Sequence, residues 1–168
     1  MTVALIGPPA AGKSRVGRRL ARTLDVPFID TDSEIVAVHG PISGIFAHQG
    51  EAAFRALERE AVSRALTSGG VVSLGGGAVL DLETQRDLRD ATVVLLTVSP
   101  EAVAARIDDG KRPLVQGIES WSALVRARMP IYESLADYRA DTSRRPISTI
   151  AEEIAQWITQ REKEHQGA

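Results

Sequence analysis

The chain has no cysteine and no asparagine among its 168 residues, and only 4% of them are aromatic. Without cysteine there can be no disulfide and no thiolate metal site, which suits a reducing compartment. Without asparagine, the Asn-Lys-x-Asp motif by which GTPases read guanine is excluded. Long apolar runs are missing too. Nothing reaches the ~18 residues that a helix needs to cross a bilayer, and the opening MTVALIGPPAAGKS has neither a basic start nor a cleavable apolar stretch, so the expected location is the cytoplasm. No sign of charge dominates: 20 Lys and Arg face 22 Asp and Glu, a formal charge of −2. That balance gives no reason to expect nucleic acid or a membrane as partner. What remains, 43% hydrophobic and 25% charged residues, is ordinary globular composition and enough for one domain over residues 1–168. No coiled-coil pattern argues for assembly, so a monomer is expected.

Short β-branched runs alternate with longer amphipathic ones. Residues 3–6, 27–30, 71–74, 92–98 and, weakest, 138–142 read as strands. Four of these are nearly continuous in apolar residues, the pattern of parallel strands covered on both faces. Helical spacing appears at 13–24, where Val16, Leu20 and Leu24 share a face, at 51–66, with Phe54, Leu57, Ala61 and Ala65, and at 100–107, 121–136 and 147–161. The plan is α/β, helices flanking a parallel sheet. Trp121 and Trp157 fall on helical patterns and read as core. His39, His48 and His165 lack metal-ligand spacing. Residues 108–117, DDGKRPLVQG, have glycines, a proline and little apolar content; they read as a surface loop, either a connector or a lid that carries Lys111 and Arg112 onto a ligand.

The chemistry announces itself after the first strand. GPPAAGKS, residues 7–14, fits G-x-x-x-x-G-K-[ST] and leads into an amphipathic helix. Such a loop (Gly7, Pro8, Pro9, Ala10, Ala11, Gly12, with Arg15 following) turns backbone N–H groups and a helix N-terminus toward phosphate. Lys13 reaches the β- and γ-phosphates and Ser14 offers its hydroxyl to Mg²⁺. A nucleoside triphosphate is the expected ligand, and with the guanine motif excluded it is ATP.

Several other residues have two readings each. FIDTD brings Asp30 and Asp32 to the carboxyl end of the second strand, where α/β sheets bind ligands. Asp32 also suits the N-cap of a helix beginning DSEIVAV; Asp30 has no capping role as convenient. Arg55 and Glu58 are spaced as an i,i+3 surface pair. Arg126 and Arg128 look like solvated charges, with Pro130 set to kink their helix. Gly75, Gly76 and Gly77 follow an apolar strand in VVSLGGGAVL; three bare residues there require either an unusual chain path or something bound very close to the main chain.

Taken in order, GPPAAGKS, DTD, FR, GGG, RPL and RxPxY resemble the shikimate kinases over nearly the whole chain. The resemblance implies a three-layer αβα P-loop fold with a five-stranded parallel sheet of order 2-3-1-4-5, acceptor-binding helices at about 32–62 and a mobile lid at about 108–118. It implies transfer of the γ-phosphoryl group of ATP to the 3-hydroxyl of shikimate, with Mg²⁺. Asp30, with Ser14, would serve the Mg²⁺ site. Asp32 would hold the acceptor hydroxyls and act as base, beside Lys13 and Arg112 as the other catalytic groups. Arg55 and Arg128 would grip the shikimate carboxylate, Gly75, Gly76 and Gly77 line its pocket, and Phe46 and Phe54 form its aromatic wall. Arg112 would approach the transferring phosphate from the lid. Arg106 and Arg145 would frame the adenine, with Arg144 an alternative to Arg145. Gluconate kinase, nucleoside monophosphate kinases and a noncatalytic ATP switch are the rival readings.

Overall fold

A computed structural model describes residues 1–107 and 117–167. In chain order they form β1 (Thr2–Ile6), α1 (Lys13–Leu24), β2 (Phe28–Asp30), α2 (Thr31–His39), α3 (Ile42–Gln49), α4 (Glu51–Ser68), β3 (Gly70–Ser73), α5 (Leu82–Asp87), β4 (Thr92–Thr97), α6 (Pro100–Ile107), α7 (Ile118–Leu135), β5 (Tyr138–Asp141) and α8 (Ile147–Gln166). Among the described residues, five strands pair in parallel in the order β2-β3-β1-β4-β5.

Alternation of side chains along the strands divides the interior in two. Val3 and Leu5 of β1 join Val94 and Leu96 of β4, with Val16 and Leu20 of α1 and Ile150, Ile154 and Ile158 of α8. On the opposite sheet face, Ala4 and Ile6 pack with Val93, Leu95, Val62 of α4 and Tyr132 of α7. A smaller cluster of Ile35, Ile45, Phe54 and Ala61 holds α2, α3 and α4 together. α1 forms because its buried Val16, Leu20 and Ala21 repeat at helical spacing beneath exposed Arg15, Arg18, Arg19 and Arg22. It stops at Asp25, left-handed at φ 54°, whose N–H returns to the carbonyls of Ala21 and Arg22.

The register places the site. Asp30 pairs with Ser73 and Ser73 with Leu5, so β2, β3 and β1 end in one row. The loops that leave them, carrying DTD, GGG and the phosphate loop, therefore emerge side by side from the carboxyl edge of the sheet.

Strand boundaries lie within one residue of those expected. β2 is an edge strand, half-buried along its length, with Phe28 packed against the core on one sheet face and Ile29 against that on the other. α3 falls among the helices that the resemblance implied at about 32–62, whereas α5 was not anticipated; both are short, and their faces are decided by packing. α7 passes uninterrupted through Pro130. Pro130 and Arg126 lie on its exposed side, where water can take the carbonyl that proline leaves without a donor. Residues 108–116, most of the expected lid and Arg112 with it, lie outside the described residues. Among those described, no helix is long and apolar enough to cross a membrane.

Candidate active site

The phosphate loop is bare backbone held from behind. Gly7 adopts φ 144° and presses so closely on β4 that a Cβ would stand 2.3 Å from the carbonyl oxygen of Leu96. Gly12 caps α1 at φ 83° with no capping side chain, which leaves the first-turn N–H groups and the positive helix end open to an anion. The loop's carbonyls are meanwhile drawn into the protein. The Trp121 indole donates to Pro9 O (2.8 Å), Arg106 Nη1 to Ala10 O (2.7 Å) and Thr142 Oγ1 to Ala11 O (2.7 Å). Arg106 thereby holds Ala10 at φ 69°, a left-handed conformation that costs an L-residue roughly 1–2 kcal/mol. Lys13 Nζ donates to the carbonyls of Gly7 (2.8 Å) and Pro8 (2.9 Å), arched over the loop it would share with phosphate.

Asp30, not Asp32, caps α2. Its Oδ1 accepts from the Ser33 N–H at 3.0 Å, because the residue still has extended backbone while the next one is helical. Its Oδ2 accepts from the Ser14 hydroxyl, so two hard oxygen ligands meet at the mouth of the phosphate loop. Asp32 instead falls in the first turn of α2 and turns toward the glycine loop.

That loop is bare because the protein's own side chains crowd it. A Cβ on Gly75 would lie 2.7 Å from Glu58 Oε2 and 2.8 Å from Asp32 Oδ1. On Gly76 it would lie 2.9 Å from Cδ of Pro9, and on Gly77 2.4 Å from Nη1 of Arg55. None of the three has positive φ, so close approach and not backbone conformation demands glycine. The glycines line the cavity as the resemblance implies, and a side chain on any of them would also meet Asp32, Pro9 or Arg55.

Arg55 and Glu58 are not a surface pair. Glu58 is 4% exposed and accepts from Arg55 Nη1 at 2.7 Å. Burial pushes the Glu58 carboxyl above its ordinary range against the pull of the Arg55 guanidinium; Asp32 adds to the rise and Arg128 opposes it. Nor is Arg128 a solvated charge: it is 9% exposed on the inner face of α7, whereas Arg126 is exposed as expected. One turn on, Tyr132 is completely buried and its hydroxyl donates to Gly76 O. Burial raises its pKa to about 12, so it remains a donor across the working pH range.

Between these groups lies a cavity of about 260 Å³, lined by Pro9, Ala10, Gly12, Lys13, Ser14 and Arg15 of the phosphate loop and by Asp30, Asp32, Phe54, Arg55, the three glycines and Arg128. Ile42, Glu58, Ser73 and Leu74 also line it, and sequence reasoning gave them no place in the site; Tyr132 closes the RxPxY motif but was given no role there. Glu58 had a signal. It stands four residues after Phe54 and three before Ala61, inside the apolar stripe of α4. Phe46 is not among the residues that line this cavity; it packs against Phe54, ring centres 5.0 Å apart and planes tilted by 37°. Gly7, Pro8 and Ala11 form the loop's frame outside the cavity lining. Arg106 is spent on the backbone carbonyls of Ala10 and Thr142, and Arg145 is exposed beside Glu153; neither reaches the cavity.

One cavity that runs from the phosphate loop to the guanidinium groups of Arg55 and Arg128 is more than a nucleotide switch needs. Fold and site together define a P-loop kinase for a small acceptor. The sequence model of the family described as shikimate kinase matches residues 9–159, and the chain belongs to the shikimate kinase family. It is 49% identical to a shikimate kinase of Thermobifida fusca over 156 residues, 90% of this chain and 91% of that one. A solved shikimate kinase from Acinetobacter baumannii, in complex with shikimate, superposes with a TM-score of 0.90 at 32% identity, over 95% of this chain and 93% of that one. A gluconokinase from Sinorhizobium meliloti 1021 superposes at 0.65 with 19% identity, over 98% of this chain and 95% of that one, a likeness of fold alone.

Proposed function

We propose that this kinase transfers the γ-phosphoryl group of ATP to the 3-hydroxyl of shikimate, giving shikimate 3-phosphate and ADP on the route to aromatic amino acids. The observation that carries the reading is convergence. Arg55 of α4 and Arg128 of α7 line one cavity with Asp32 and the glycine loop, at the outer end of the phosphate cradle. Two guanidinium groups suit a carboxylate, which they bind through charge-assisted, bidentate bonds. A carboxylate facing them suits hydroxyls.

In this reading Arg55, held by Glu58, and Arg128 fix the acceptor by its carboxylate while Asp32 orients the attacking hydroxyl. The hydroxyl oxygen bonds to the γ-phosphorus, the bridging bond to the β-phosphate breaks with its electron pair leaving on ADP, and the hydroxyl proton passes late to Asp32. Such transfer is loose and depends on positioning and charge neutralisation more than on a strong base. Lys13 exchanges the Gly7 and Pro8 carbonyls for the β- and γ-phosphates, and Arg112 meets the transferring group. The Ser14 hydroxyl and Asp30 carboxylate fit Mg²⁺, a hard cation that takes few protein ligands and completes its shell with water and phosphate. Bound there, it would neutralise charge developing on the phosphate oxygens.

ADP release measured with shikimate, gluconate and nucleoside monophosphates as acceptors tests the reading. Shikimate should give turnover well above the ATP-only rate and above the others. Turnover favouring gluconate or a nucleotide, or none beyond background, overturns it. A monomer in the cytoplasm fits the composition, and light scattering should return a mass near 18.0 kDa.

A further inference from the structure

One face of α7 addresses both halves of the site. Trp121, Val125, Arg128 and Tyr132 follow at intervals of four, three and four residues, a single helical stripe. The first donates its indole N–H to Pro9 O in the phosphate loop at 2.8 Å. The last donates its hydroxyl to Gly76 O in the glycine loop. Both rings are buried, Trp121 at 2% exposure. The two carbonyls they hold belong to loops already in contact, for a Cβ on Gly76 would stand 2.9 Å from the Pro9 ring. Neither aromatic lines the cavity, so neither touches the reacting groups.

We infer that Trp121 and Tyr132 are positioning residues that tie the phosphate loop and the glycine loop to one helix. The two loops, already in contact at Gly76 and Pro9, are thereby held in one arrangement by a single helix. Each hydrogen bond fixes a backbone carbonyl, and with it the peptide plane that joins Pro9 to Ala10 or Gly76 to Gly77. Without the Tyr132 hydroxyl, the half-buried Gly76 O loses that donor, and the glycine loop can rotate away from the acceptor. Without the Trp121 N–H, the Pro9–Ala10 peptide loosens, and with it the cradle. The roles divide by substrate although both residues sit on the same helix.

The inference rests on shikimate as acceptor, and the test separates the two. Steady-state kinetics with each substrate varied in turn are compared for the wild type, Tyr132→Phe and Trp121→Phe. Tyr132→Phe should raise the KM for shikimate about tenfold and leave that for ATP within twofold. Trp121→Phe should do the reverse. Either variant moving both KM values equally, or neither, overturns the inference. Should Trp121→Phe fail to fold, Tyr132→Phe decides alone. A second readout needs no turnover. In a Trp157→Phe background Trp121 is the remaining tryptophan, and its emission should shift when ADP with Mg²⁺ binds, in the presence or absence of Tyr132→Phe; no shift overturns the Trp121 half. If shikimate is not the acceptor, the wild type itself shows no shikimate-dependent turnover, a different failure from unchanged variants of an active enzyme.

Discussion

Gly77→Ala probes the site with one added carbon. The new Cβ would lie 2.4 and 2.6 Å from the two terminal nitrogens of Arg55 and 2.8 Å from its Cζ. Ordinary contact begins near 3.4 Å, so the guanidinium must retreat by about 1 Å, a distance comparable to what separates a productive pose from a poor one. The backbone does not object: Gly77 has φ −98°, which alanine adopts freely. Arg55 can yield because it is the free end of a long side chain, partly open to solvent. Yielding strains its 2.7 Å bond to Glu58 and spoils its aim at the acceptor. A hydrogen bond to a charged group contributes about 1.5–3 kcal/mol, which corresponds to about 10- to 150-fold in acceptor affinity. The shikimate KM from an ADP-release assay should rise within that range, while the affinity for ATP and the melting temperature change little. Gly76→Ala is the control with the opposite signature. There the Cβ meets the Pro9 ring and backbone nitrogen at 2.9–3.2 Å, rigid atoms of the phosphate loop, so ATP affinity should fall as well. A Gly77→Ala enzyme with an unchanged shikimate KM would refute the placement of Arg55 as an acceptor ligand.

Arg128→Lys keeps the charge but not the planar fork; the shikimate KM should rise while ATP affinity stays, and an equal fall in ATP affinity would remove Arg128 from the acceptor side. Arg112→Ala should lower kcat by about 10³ or more if that side chain neutralises the transferring phosphoryl, and a loss of only a few-fold would make it a peripheral charge. Glu58→Gln tests the buried carboxyl by pH. Because its folded-state pKa is raised by burial, the wild type is favoured relative to Glu58→Gln below the ordinary glutamate pKa, and that advantage declines as pH rises through the raised value. Paired urea melts from about pH 4 to 7 should show this decline; a difference that is flat, or grows with pH, contradicts the burial-driven shift.

Legibility followed the distance between cause and effect along the chain. Val16, Leu20 and Leu24 announce α1 because helical periodicity is written in near neighbours. The short α3 and α5 offered too few turns for a period to show. Asp30 and Asp32 were recognised together, yet their roles as cap and pocket residue exchanged the capping assignment, since a shift of one residue in where α2 begins decides which side chain reaches the Ser33 N–H. Phe46 and Phe54 share one apolar cluster, and sequence had no means of telling which ring lines the cavity and which does not.

By itself the sequence determined the phosphate loop and the α/β plan, because eight contiguous residues suffice to build an anion cradle and strand and helix periods are local. Glu58's place in the apolar stripe of α4 hinted at its burial, but tertiary structure decided that Arg128 turns inward while Arg126 does not, and that Asp32, Pro9 and Arg55 press on Gly75, Gly76 and Gly77. Those facts depend on how α4 and α7 pack over the carboxyl edge of the sheet. Long-range packing, not local preference, sets the distance of closest approach between segments far apart in the chain.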